Sequence, residues 1–325
     1  MGGEEETTET PGPVRIRRKV RKPKDRPQGR SKRHREGRSK ARALAVFVIV
    51  WCVLLGAAAV WFKKRSPDAS DATSVVDTAT IGGQAMEDSR LLQDRFGECV
   101  DRTLAFLTAN NIGGQSPHVL RSEKILGEMA RALQFNPIIP VESQIVPVYR
   151  EVIHTPVGRA IETMWKYDDG KLVEAVFFEE AGEWKIDWHA ITRAGSGSWP
   201  LFVAGKGKEE GEFRLLARER IGAKGRDPEF IGLVLYAPRP GNPGEAVSPS
   251  PEIRVPRGSE MGQAIEEAFA SRAKDLGPFG SGVVKYDPGE LIRLHVKISR
   301  EGEEERSFQI TELIATHWME QPLVK

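Results

Sequence analysis

Residues 177–191 read FFEEAGEWKIDWHAI, and the rest of the chain is interpreted from there. EEAGE separates two apolar runs and reads as a hairpin turn. A strand continuing from Glu183 to Ile191 puts Trp184, Ile186 and Trp188 on one face and Lys185, Asp187 and His189 on the other. The tryptophan face is expected to pack on helices. The Lys-Asp-His face is expected to be half-solvated. Two residues apart on a strand, Asp187 and His189 lie roughly 7 Å apart at the backbone, too far for an automatic hydrogen bond. They are either rim residues of a sheet or a general-base or ligand-orienting pair, and they are the weak catalytic candidates of this sequence.

Outward from that stretch, period-2 patterns over 143–153, 158–168, 171–179 and 183–193 read as strands, with YDDGK and EEAGE as the turns between the last three. Before them the period is helical. Leu92, Phe96, Cys99 and Leu107 line one helix, and Ile125, Leu126, Met129 and Leu133 line a second. Ser116-Pro117 can open that second helix. Helix–helix–meander is an α+β arrangement.

Two helices, then an antiparallel sheet carrying FFEEAGEWKIDW, resembles the nuclear-transport-factor-2-like cone folds over residues 89–205. Some members of that superfamily are isomerases, dehydratases or cyclases with pocket Asp and His residues; others are structural. The resemblance implies a cone-shaped module and leaves its activity open. The whole layout also resembles uncharacterised membrane-anchored bacterial proteins.

Residues 206–325 read as a second small α+β module. Its strands are expected near 212–220, 230–236, 281–286, 290–299 and 306–316, with a helix capped by Ser259 over 260–275. PRPGNPGEAVSPSP, 238–251, reads as a loop rich in proline and glycine. Trp318 is expected to pack on the core.

Toward the N-terminus the composition changes. The chain has 325 residues and a net charge of +2, but residues 1–42 hold 15 Lys/Arg against 6 Asp/Glu, whereas 66–325 hold 30 against 40. The basic head 1–42 is expected to be disordered and to lie on anionic lipid head groups. It interleaves no aromatic residue for base stacking, which argues against nucleic acid. ALAVFVIVWCVLLGAAAVWF, 43–62, is 20 residues without a charge and reads as a transmembrane signal-anchor helix. Trp61, Phe62, Lys63, Lys64 and Arg65 would then sit at the membrane interface. The charge asymmetry implies a cytoplasmic N-terminus, a flexible stalk over 63–88 and a periplasmic body, in the inner membrane of a bacterium.

Catalytic signatures are missing. There is no nucleophile elbow or phosphate loop. The histidines at 118, 154, 189, 295 and 317 stand alone, so no metal or cofactor is implied. Cys52 falls in the apolar run, and Cys99 reads as a buried, inert thiol. The sequence therefore favours a single-pass, extracytoplasmic binding or scaffolding protein without catalysis, working with a protein partner in the cell envelope or a second copy of itself. A membrane-tethered cone-fold isomerase or dehydratase is the alternative.

Overall fold

The computed structural model describes residues 78–134, 138, 140, 141, 144–223, 225–301 and 307–320. Residues 76–325 form one compact unit. The chain begins with α1 (Thr78–Thr108), α2 (Ile112–Gln115), a 3-10 turn (Ser116–His118) and α3 (Ser122–Ala132). The four strands of the first sheet follow: β1 (Ile145–Thr155), β2 (Gly158–Tyr167), β3 (Leu172–Glu180) and β4 (Glu183–Ile186). They pair antiparallel in the order β1-β2-β3-β4. Two short helices, α4 (Trp188–Thr192) and α5 (Trp199–Val203), lead to β5 (Glu210–Glu219), β6 (Phe230–Arg239), β7 (Asn242–Val247) and β8 (Ile253–Pro256). Next come α6 (Glu260–Arg272), β9 (Ile292–Glu301) and β10 (Ser307–Ala315). The second sheet runs β10-β9-β5-β6-β7, with β8 also paired to β6. The architecture is α+β with two antiparallel sheets.

Alternation assigns each face. In β2 and β3, Ile161, Trp165, Ala175 and Phe177 point to the α1 side and bury against Phe96, Cys99 and Phe106, with Trp184 and Ile186 of β4 completing the core. Phe96 stacks on Trp165 at 5.9 Å between ring centroids. The Glu98 carboxylate on α1 accepts from the Trp184 backbone N–H, which fixes β4 against the helix. In the second sheet, Leu215, Ala217, Leu294, Val296 and Ile298 pack with Ile265 of α6 and with Trp199 and Phe202 of α5. Ser259 caps α6 as expected, accepting from Gly262 N–H. The β3–β4 connection is a two-residue turn with Ala181 at φ 54° and Gly182 at φ 85°. Positive φ at both positions is the hairpin geometry that matches strand twist.

Several expectations change. The transmembrane helix, the single-pass keyword and the inner-membrane placement are corrected: among the described residues no helix is long and apolar enough to cross a membrane. The segment 43–62, the basic tail 1–42 and the interface residues Trp61, Phe62, Lys63, Lys64 and Arg65 lie outside the described residues. Helix α1 begins at Thr78, so the last eleven residues of the stretch read as stalk, 78–88, are helical. The proline-rich stretch 238–251 contains β7, paired to β6 through Ala237–Val247 and Pro238–Ala246. Residues 283–286 form a 3-10 turn rather than a strand.

The strand expected over 183–193 ends at Ile186. Asp187 takes φ −70°, ψ 103°, and its carboxylate caps α4 by accepting from His189 and Ala190 N–H. An aspartate offering both N-cap acceptor and turn stops the ladder where the hydrophobic alternation alone would continue it.

Candidate functional site between the two sheets

The second face of each sheet mixes buried apolar residues, such as Val176, Phe178 and Leu216, with charged ones, and the charged groups of the two sheets meet. Glu162 and Glu174 project from β2 and β3; Arg214, Arg293 and His295 project from β5 and β9; all five are buried. At the centre, Arg293 donates through both terminal nitrogens to the two Glu174 oxygens, at 2.7 and 2.8 Å. Its Nε donates to Asp287 Oδ2 at 2.6 Å. Arg193, just after α4, stands 3.6 Å from Glu174. The guanidinium carbons of Arg193 and Arg293 lie 4.7 and 4.4 Å from the centre of the Trp318 ring. Buried charges persist only when paired in this way. Glu162 sits beside this group and accepts from Ser281 Oγ at 2.6 Å. Burial and then the neighbouring Glu174 charge push the Glu162 carboxyl up to about 8, against the Ser281 hydroxyl and Arg293.

Asp187 and His189 belong to a second cluster in the same layer. Both are buried, so neither is a rim residue. Asp187 Oδ1 accepts from His189 and Ala190 N–H at 2.9 and 3.1 Å, and Oδ2 accepts from Glu320 N–H at 2.6 Å. His189 Nε2 lies 2.9 Å from Glu128 Oε2 and Nδ1 lies 3.1 Å from Glu320 Oε2. Arg121 reaches the other Glu320 oxygen at 3.2 Å. Burial pushes the Asp187 carboxyl up, opposed by the N–H donors and by His189. A general base needs a lone pair facing substrate. Here both Asp187 oxygens are taken by backbone donors, and both His189 nitrogens face carboxylates.

One donor atom each from Asp187, His189 and Glu320 fall within 4.8 Å of one another, a spacing that a metal ion could use. The surroundings do not suit one. The Arg121 and Arg214 guanidiniums act on the same carboxylates, and every donor atom of Asp187 and His189 already has a partner. The arrangement is an ion-pair cluster. Cys99 is fully buried, and its thiol is pushed up to about 12, chiefly by burial, which keeps it unreactive.

Beside the ionic layer lies a cleft of about 1070 Å³, walled by Tyr167, Trp199, Pro200, Phe213 and Pro240, with Glu174 and Arg193 reaching its wall. Leu172 donates its backbone N–H to Gly241 O at 2.7 Å, which ties the β6–β7 hairpin to the start of β3 at the cleft wall.

Sequence reasoning singled out Asp187 and His189 but missed Glu128, Glu320 and the Arg293–Glu174–Asp287 group. In β9, IRLHVKIS alternates strictly, a pattern that puts Arg293 and His295 on one face and could have flagged them. The remaining signal would have been a lone acidic residue, Glu174, inside the otherwise apolar strand run VEAVFF. Comparison of the chain with known protein families, with curated proteins and with solved structures finds no match.

Proposed function

We propose that residues 76–325 are a non-catalytic binding module whose ligand site is the cleft between the two sheets. The cleft carries this reading. Its volume of about 1070 Å³ falls near the upper end of ordinary ligand pockets, its walls are aromatic and proline-rich, and a few charged groups converge on it. The Glu174 carboxylate there is already paired in full to Arg293, so it orients rather than reacts.

The α1–β4 layer accords with a nuclear-transport-factor-2-like module whose cone is filled. A cone-fold isomerase or dehydratase would need open space on the α1 face, where Trp165, Trp184 and Phe177 are each no more than 2 % exposed. The consumed donors of Asp187 and His189 weigh against that alternative as well.

Native mass spectrometry of the gently purified full chain tests the reading. A bound small molecule is expected, and it should be lost in Gly197→Trp. Gly197 lines the cleft, and a Cβ there meets nothing within 4 Å, so a bulky side chain can be introduced at the cleft wall from that position. A bare mass for the wild-type chain, monomeric or dimeric, would instead point to scaffolding by protein contact.

A further inference from the structure

The chain's last described residues leave the second sheet and cross to the first. After β10, Trp318 is held to β5: its Nε1 donates to Leu215 O at 3.2 Å, and its carbonyl accepts from Arg214 Nε at 3.1 Å. Met319 then enters a small core with Leu120, Ile153, Phe178 and Ala190 of the first half. Glu320 docks through its backbone N–H on Asp187 and through its carboxylate on His189 and Arg121. Three residues thus tie one sheet to the other.

The His189 ring is the pivot. A neutral imidazole has one N–H and can donate to one carboxylate, whereas an imidazolium donates to two. The ring stands between Glu128 of α3 and Glu320, with Asp187 below, Arg121 before α3, Arg214 of β5, His295 of β9 and His317 of the same segment in the surrounding layer. Three carboxylates then face three cations: His189, Arg121 and Arg214. Loss of one proton leaves a partly buried carboxylate uncompensated.

We propose that residues 318–320 form a proton-operated latch between the two sheets, closed while the His189 ring carries both protons and loosened when it releases one. This goes beyond the cleft reading and does not depend on it. Burial opposes the His189 charge, and the hydrogen bonds to Glu320 and Glu128 outweigh it, so the ring titrates above its ordinary 6.5. A raised folded value means that the latch is at full strength below about 6.5 and weakens as pH climbs through the folded value. His295 is shifted downward and His317 down to about 4, both chiefly by burial, so their steps fall on the acid side.

Hydrogen exchange of the Glu320 amide in the full chain, corrected for intrinsic rate, reads the latch between pH 5.5 and 9. Protection should drop above 6.5 by up to about tenfold per pH unit. In Glu128→Gln, a change at a half-exposed side chain, the drop should move to lower pH. In His189→Gln no drop should remain beyond that of reference amides in β9, which report the global pH dependence set by Glu162. Protection that stays level across the range in the wild type overturns the latch. So does a drop at the same pH in Glu128→Gln, which decides the matter even if His189→Gln fails to fold.

Discussion

Arg293 on β9 and Glu174 on β3 form a two-pronged ion pair at 2.7 and 2.8 Å, with both side chains buried, and this pair joins the two sheets. Removing the arginine strands Glu174 and Asp287 in a low-dielectric layer. Arg293→Met should lower stability by about 3–5 kcal/mol, read as a shift in the urea midpoint. Replacing both carboxylates in the same chain, with Glu174→Gln and Asp287→Asn, should restore much of that loss. A loss below about 1 kcal/mol would mark the pair as solvent-screened.

Glu162 sets a pH dependence of its own. Its carboxyl is raised in the folded chain to about 8, so the folded state binds its proton more tightly than the unfolded state does. The associated stability is complete below about 4.5 and is lost as pH rises to about 8. Thermal unfolding followed across that window should therefore show a declining midpoint, and Glu162→Gln should flatten it. A wild-type midpoint independent of pH would show that Glu162 is ionised throughout.

The β3–β4 turn spends backbone energy at Ala181, whose φ is 54°. Left-handed backbone costs a residue with a Cβ about 1–2 kcal/mol, and asparagine tolerates it best. Ala181→Asn should raise stability by about 0.5–1 kcal/mol, measured by chemical denaturation, because Asn-Gly is the preferred pair for this turn. No gain would mean that the turn relaxes in solution.

Asp187 carries two structural duties, capping α4 and receiving Glu320 N–H. Asp187→Ala should cost about 2–4 kcal/mol, combining a lost cap with an orphaned donor. Asp187→Asn keeps one acceptor oxygen and should cost less. An Asp187→Asn chain of unchanged stability that loses ligand binding would return this residue to the functional site.

The strands of the first half were legible for two reasons: EWKI alternates polar and apolar residues, and AVFF is a short apolar run bounded by the turns YDDGK and EEAGE; helix α6 was legible because Ser259 precedes an apolar period of 3.6. Alternation tells which residues share a face. It does not tell whether a polar face meets water or a second polar face. That is why Asp187 and His189 could be read as rim residues as readily as a general-base pair, and why Glu174 and Arg293, 119 residues apart, gave no sign of their pairing. The end of β4 was hidden for another reason. The capping energy of one aspartate competes with the next ladder bond, and the periodicity of Trp184, Ile186 and Trp188 is the same in either outcome. The cleft had no local signature, since its walls come from at least five separate stretches of chain.

Chemical-shift mapping with a small-fragment library would be the first test of binding in the cleft. The expected result is a set of hits whose perturbed amides gather at Thr192, Arg193, Gly195 and Gly197, and which disappear in Gly197→Trp. Hits that gather instead on the α1 face of the first sheet, or that persist unchanged in Gly197→Trp, would contradict the assignment of the cleft as the ligand site.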